Sequence, residues 1–167
     1  MRKKLPQKLL KELLKNSKRS DRQLSKILGV SQPTVTRARN RLEKTGMIQD
    51  YTIIPDFEKM GFEILVINFA KLRPQVLASD VSEKAQEFIA KFPNTIFAST
   101  GNGMGMNAVD IAFYKNFTEY HQRVNQMKTE WEDIIEDIQS FIVPLKGEKF
   151  KQFSLTYLGE GNRKETP

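Results

Sequence analysis

The stretch from Ser20 to Ile48, SDRQLSKILGVSQPTVTRARNRLEKTGMI, constrains this chain more than any other. It reads as two short helices joined by a tight turn. Ser20 and Gln23 have the S-x-x-Q spacing of a capping box, in which hydroxyl and amide each satisfy a free N–H at a helix start. Leu24, Ile27 and Leu28 follow as an apolar stripe at i, i+3, i+4. Gly29 ends the first helix, because glycine reaches the left-handed conformation at little cost. Ser31 is the next N-cap, and Pro33 suits a first turn, where a missing N–H is no loss. The second helix is expected to run to about Thr45 and to stop at Gly46.

That second helix has two chemically different sides. At about 100° per residue, Val35, Ala38 and Leu42 share one face. Thr36, Arg37, Asn40 and Lys44 fall roughly opposite, with Arg39 and Arg41 on the flanks. A small apolar seam backed by Arg, Asn, Thr and Lys suits the DNA major groove. Arginine bonds guanine bidentately, asparagine bonds adenine, and threonine meets a thymine methyl or a phosphate. Ser31, Gln32 and Thr34 stand at the N-terminal end, which recognition helices aim at base edges. The candidate DNA-contacting set is therefore Ser31, Gln32, Thr34, Thr36, Arg37, Asn40, Arg41 and Lys44. A basic helix face taken alone is usually just solvated. The capping pattern, the G-V-S turn and the charge distribution together turn the reading toward double-stranded DNA.

The net charge is +7, but its distribution says more. From Met1 to Asp50 there are 14 Lys and Arg against 4 acids, or +10; the remainder carries 13 against 16, or −3. Such asymmetry points to a polyanion-binding module joined to something else. With no cysteine, disulfides, thiolate zinc sites and cysteine nucleophiles are excluded. No apolar run approaches the roughly 18 residues that span a bilayer, and the N-terminus lacks a signal-peptide core. The expectation is a cytoplasmic protein with no membrane partner, no cofactor, no metal and no catalytic site.

Taken in order, the chain opens on a basic arm, Met1–Lys4, followed by a helix begun at Pro6 with Leu9, Leu10, Leu13 and Leu14 on its apolar face. This helix packs across the next two, giving a helix-turn-helix, winged-helix-like domain over 1–49. Ile48, Tyr51, Ile53 and Ile54 suggest a short strand ending at Pro55 and leading through a linker over 50–61, in which Asp56 caps one turn closed by Gly61. From Phe62 the period changes. FEILVINFAKL is a run of β-formers apolar on both faces, as a central strand requires. Ser79 and Ser82 precede a helix with Ala85, Phe88, Ile89 and Phe92 in register, ended by Pro93. TIFAST is a strand, GNGMG a turn and NAVDIAFYK a second strand. Asn116 caps a long helix that places Phe117, Tyr120, Val124, Met127 and Trp131 on one face. DIQSFIVPL closes the unit, with Pro144 at its end. The order βαββαβ is the ferredoxin-like arrangement, over 62–158. The fold class is thus α+β. KFKQFSLTYLG adds a candidate final strand, and 159–167 reads as a tail.

The combination resembles the Lrp/AsnC family of transcription regulators, from about Pro6 to Leu145. The strongest local signal is LSKILGVSQPTVTRARNRLEKTGMIQDYTIIPDFEKMG, where Leu42, Glu43, Gly46, Ile48, Asp56, Lys59 and Gly61 occupy the places of the family pattern. The resemblance implies a sequence-specific regulator that binds pseudo-palindromic DNA. Family members are homodimers, often assembled into octamers, and often respond to an amino acid held between C-terminal domains. The effector loop usually reads T-G-D-x-D. Here Thr100, Gly101, Asn102 and Gly103 stand in its place, so both acidic positions are lost and a different ligand, or none, is implied.

Other readings carry less. The Gly-rich loop is not spaced as GxGxxG and lies between two strands, so a hairpin turn is expected rather than a phosphate nest. His121 is the only histidine and is read as structural. Glu130, Glu132, Asp133, Glu136 and Asp137 are distributed around a helix end instead of converging. Haem-biosynthesis decarboxylases that look like this family are the enzyme alternative. They are rich in His and Arg toward the C-terminus, where this chain has only His121, Arg73, Arg123 and Arg163. A protein that coats DNA without specificity is the third reading.

Overall fold

The computed structural model describes residues 4–74 and 81–160. Ser79, the basic arm before Lys4 and the residues after Glu160 lie outside that range. The chain divides into two compact units: one takes in Met1–Ile54 with Phe150–Pro167, the other Pro55–Lys149.

The first unit begins with α1 (Leu5–Lys15), which Pro6 opens from its first turn. Helix α2 (Asp21–Leu28) starts on the capping box expected at Ser20. The Gln23 N–H donates to Ser20 Oγ at 3.3 Å, and the Ser20 N–H donates to Gln23 Oε1 at 2.9 Å. Gly29 ends it at φ +66°, the left-handed region that glycine adopts without a Cβ penalty. Helix α3 spans Gln32–Lys44. Leu9 and Leu13 of α1, Leu24 of α2 and Val35, Ala38 and Leu42 of α3 form one buried core, with Leu28, Val30 and Ile48 packed against it. Ile27, expected in the stripe of α2, is instead about half exposed, because α2 meets its neighbours mainly through Leu24.

Two expectations for this unit need correction. Tyr51, Ile53 and Ile54 form no strand; they have the β-forming side chains but no ladder partner among the described residues, and all three stay exposed. The C-terminal KFKQFSLTYLG is not a strand either. It ends in a short helix, α6 (Thr156–Glu160), that packs on α1. Gly159 and Glu160, read as the start of a tail, are its last residues. The close approach requires a glycine there: a Cβ on Gly159 would stand 2.6 Å from the Lys11 carbonyl oxygen.

The second unit has the expected βαββαβ order. It comprises β1 (Ile64–Leu72), α4 (Val81–Ala90), β2 (Thr95–Gly103), β3 (Met106–Tyr114), α5 (Phe117–Glu130) and β4 (Ile135–Pro144). The four strands form one antiparallel sheet in the order β2-β3-β1-β4. Alternation sends Val66, Asn68 and Ala70 to one face and Leu65, Ile67 and Phe69 to the other. Val66, Ala112 and Tyr114 bury the first face together with Tyr120 and Val124 of α5. Asn116 caps α5 by accepting from the Glu119 N–H at 2.9 Å. Phe117, expected on the buried side, is exposed and lies against Tyr120 and His121 instead.

The same covered face holds a polar row. Asn68 pairs in register with Asp110 on one side and Ser140 on the other. Asn68 Nδ2 donates to Asp110 Oδ2 at 2.9 Å, and Ser140 Oγ donates to Asn68 Oδ1 at 2.6 Å. Arg123 is buried nearby under Phe88 and Phe92, with its Nη1 unpaired among the described residues. Burial lowers its pKa to about 10 and, with Asp110 adding to the effect, raises that of Tyr114 to about 12.

Between Asp56 and Gly61 the expected single turn is present. Asp56 Oδ1 accepts from the Lys59 N–H at 3.1 Å, and this bond first, then the Lys59 ammonium, holds the Asp56 carboxyl below its ordinary range.

Candidate nucleic-acid interface

Helix α3 positions the site. Its buried residues Val35, Ala38 and Leu42 fix which side faces inward, so Pro33, Arg37, Asn40 and Lys44 look directly outward, with Arg41 beside them. All five are exposed. Arg37, Asn40, Arg41 and Lys44 make no side-chain hydrogen bond or ion pair among the described residues.

Three acids of the helical core, Asp21, Glu12 and Glu43, are engaged in contacts of their own. Asp21 sits at the start of α2 and grips α3: its Oδ1 accepts from Arg39 Nε and its Oδ2 from Thr36 Oγ1, at 2.8 and 2.7 Å. Glu12 on α1 takes Lys15 and Arg19, the latter at 2.6 Å. The hydrogen bond from Lys15, outweighing partial burial, lowers the Glu12 pKa. Glu43 accepts from the Tyr51 hydroxyl at 2.9 Å, and that hydroxyl in turn accepts from Arg39 Nη1 at 3.2 Å. Desolvation lowers the Arg39 pKa, but the bonds to Tyr51 and Asp21 outweigh it and leave the group more firmly protonated. The Tyr51 hydroxyl is raised, chiefly by its own burial. With the carboxylates drawn into contacts between elements, the outward face of α3 is left basic and polar. Backbone phosphates attract such a surface, and base edges offer acceptors to its Arg and Asn.

The residues singled out from sequence divide into groups. Arg37, Asn40, Arg41 and Lys44 come together on the open face. Ser31 and Gln32 are exposed at the N-terminal end of α3; the Ser31 hydroxyl shares a 2.8 Å hydrogen bond with that of Thr34 instead of capping the helix. Thr36 differs in kind. Its hydroxyl donates to Asp21 and stands 3.2 Å from the Gln32 carbonyl, so it ties α3 to α2. Arg39 and Tyr51, absent from the residues that spacing singles out, add polar ties: Arg39 joins α3 to Asp21 of α2, and the Tyr51 hydroxyl bridges Arg39 and Glu43. Asp21 lies 15 and 18 residues from its partners, too far for local spacing to reveal the pairing.

The effector candidates lie elsewhere. Sequence spacing puts Thr100, Gly101, Asn102 and Gly103 around and within a turn, but all four belong to strand β2, and all are exposed. The hairpin closes on Met104–Gly105 alone, both at positive φ (53° and 74°), the geometry whose twist matches the flanking strands. A register shift between Thr100 and Gly103 absorbs the extra residue. Among the described residues no group of three or more His, Cys, Asp or Glu is placed to hold a metal, and no helix is long and apolar enough to cross a membrane. His121 is exposed, edge-on to Phe117.

Comparison with known proteins agrees with this geometry. Residues 2–49 match the winged helix-turn-helix DNA-binding family. Over 101 residues the chain is 32% identical to the HTH-type transcriptional regulator LrpA of Pyrococcus abyssi, covering 60% of this chain and 70% of that one. An HTH-type transcriptional regulator of Pyrococcus horikoshii is 26% identical over 143 residues, 80% of this chain and 91% of its own. The fold matches an AsnC family regulator from Agrobacterium tumefaciens with a TM-score of 0.74 at 20% identity, covering 92% and 97% of the two chains. It also matches a transcriptional regulator from Neisseria meningitidis, solved as a complex with L-Met, with a TM-score of 0.73 at 19% identity over 92% and 96%. An N-terminal helix-turn-helix with a basic third helix, an antiparallel βαββαβ sheet and this similarity lead to one assignment: the chain belongs to the Lrp/AsnC family of DNA-binding transcriptional regulators.

Proposed function

We propose that the chain acts as a sequence-specific regulator that reads DNA through the open face of α3, as a homodimer. Gln32, Arg37 and Asn40 contact base edges. Ser31, Thr34, Arg41 and Lys44 hold phosphates, while Thr36 keeps the helix at its angle. The observation that carries this reading is that Arg37, Asn40, Arg41 and Lys44 stand exposed on one helix whose neighbouring carboxylates are engaged in contacts of their own. A dimer would set two such helices one DNA turn, or a multiple of it, apart.

Support for the homodimer comes from the uncovered face of the sheet. Phe97, Ile111, Ile67 and Phe141 pair in register across all four strands, making one apolar row. Phe97 is 51% exposed and Phe141 64%. Next to that row Phe113 is covered by Phe57, stacked at 4.1 Å, and by Phe62. A contiguous apolar patch of this kind marks an interface rather than scattered surface residues.

For regulation, the Neisseria relative carries L-Met. We place a small-molecule effector of this chain near Thr100–Gly103, held by hydroxyl, amide and backbone groups instead of carboxylates. Such a protein works in the cytoplasm, where its DNA is. The test is a competition: a labelled fragment of the gene's own upstream region is titrated with protein against excess random DNA, with and without an amino-acid mixture. Binding that survives the competitor is expected, and a shift with the mixture supports the effector. Complete loss to the competitor would overturn sequence-specific regulation at that site.

A further inference from the structure

The outer face of α1 is a second basic surface that the recognition helix does not use. Lys4, Lys8, Lys11 and Lys15 fall within about 60° of one another around the helix and extend along about 16 Å of it. All four are exposed. Lys15 is drawn to Glu12. Lys4, Lys8 and Lys11 have no hydrogen bond or ion pair among the described residues. Helix α6 lies alongside, and a groove of about 230 Å³ beside it and α1 is lined by Lys8, Lys11 and Lys15 and by the carboxylates of Glu12 and Glu160. Glu160 is the one α6 carboxylate there, and Lys8 and Lys11 remain exposed with α6 seated.

Helices α1 and α3 bury their apolar sides in the same core, formed by Leu9, Leu13, Leu24, Val35, Ala38 and Leu42. Their outer faces therefore look away from that core in different directions. Bending a site of about 20–30 base pairs by roughly 40–90° already costs elastic energy, and passing from the face of α3 to that of α1 takes a turn around the whole unit, so a separate duplex reaches α1 at lower cost. The α1 stripe contains no Asn, Arg or Thr suited to base readout, only point charges on flexible stems, the chemistry of phosphate contact. It also has no bulky apolar residue on its crest, as a membrane-surface helix would.

We propose that the Lys4–Lys8–Lys11 face of α1 binds the phosphate backbone of a second duplex segment, so that one protomer can hold two stretches of DNA. The inference rests on DNA binding by α3 and extends it. The test uses the full chain with Lys4→Gln, Lys8→Gln and Lys11→Gln combined, and the matching triple Lys→Arg variant. A duplex fixed to beads, with protein bound, is offered a second labelled duplex. The wild type and the Arg variant should capture it, and the Gln variant should lose at least tenfold in capture while still binding a single upstream fragment. The salt dependence of capture should fall by about 3 in the log–log slope. Unchanged capture by the Gln variant would overturn this proposal alone, and so would a wild type that binds single duplexes yet captures none. Binding of anionic vesicles by the stripe without duplex capture would replace it with a membrane role. Failure of the wild type to bind any duplex would sink the α3 reading as well.

Discussion

Arg39 Nε donates to Asp21 Oδ1 at 2.8 Å, and Nη2 of the same arginine lies 2.8 Å from the same oxygen. Both side chains are mostly buried. Because Asp21 opens α2 and Arg39 sits mid-way along α3, this pair and the Thr36 bond set the angle between the helices. Asp21→Asn removes the charge and one of the acceptors. It should cost about 2 kcal/mol in urea unfolding, the loss typical of hydrogen bonds to a charged group. DNA affinity should fall as well, although Asp21 is not on the open face. An unchanged unfolding midpoint would show that the pair does not hold α3.

Asp110 gives a pH-dependent prediction. Burial pushes its carboxyl above the usual range; the Asn68 hydrogen bond and the charge of Arg123 pull the other way without cancelling it. A carboxyl raised on folding contributes stability that is full below its unfolded value of about 3.9 and is lost as pH rises through the folded value. At pH 7 the ionised group therefore weighs against folding. Asp110→Asn keeps an acceptor for Asn68 without the charge. It should raise thermal stability at pH 7, with the gain shrinking toward pH 4. An equal effect at both pH values would contradict the assignment.

Gly159 predicts how the C-terminal segment is held. Its missing Cβ would meet the Lys11 carbonyl oxygen at 2.6 Å and Leu14 Cβ at 3.0 Å. A carbonyl in mid-helix cannot step aside, so Gly159→Ala should lift α6, cost about 1–3 kcal/mol and expose the segment after Phe150 to protease. Cleavage at the wild-type rate would mean that α6 does not need this contact.

Phe141, more than half exposed at one end of the apolar row, tests the dimer. Phe141→Asp should weaken association by about 2–4 kcal/mol if this face is the interface, and sedimentation should then show monomers with unchanged circular dichroism. Dimers that persist at low concentration would place the interface elsewhere.

Sequence carried much of this architecture because its strongest signals are local. The Ser20–Gln23 box, Gly29 and Asn116 act within a turn of their own helix, and the change of period at Phe62 announces the sheet. What spacing could not reveal depends on distant partners. Tyr51 has the side chain of a strand residue but serves as a hydroxyl bridge between Arg39 and Glu43. The segment after Phe150 has the composition of a strand, yet no strand partner is present among the described residues, and α1 offers a surface that Gly159 fits. Gly101 and Gly103 suggest a turn, but the ladder with β3 extends through Gly103, and Met104–Gly105 supply the reversal. At the interface, the open residues of α3 were legible from the helical period. The commitment of Thr36 to Asp21 was not, since it needs the packed position of α2.

The most direct test of DNA reading by α3 compares Arg37→Ala, Asn40→Ala and Lys44→Ala for affinity to the upstream fragment and to random DNA across a salt series. Arg37→Ala and Asn40→Ala should each cost about 1–3 kcal/mol on the specific site and much less on random DNA. Lys44→Ala should weaken both alike and reduce the salt slope by about 1. If all three variants kept wild-type affinity for both DNAs, the open face of α3 would not be the DNA-reading surface.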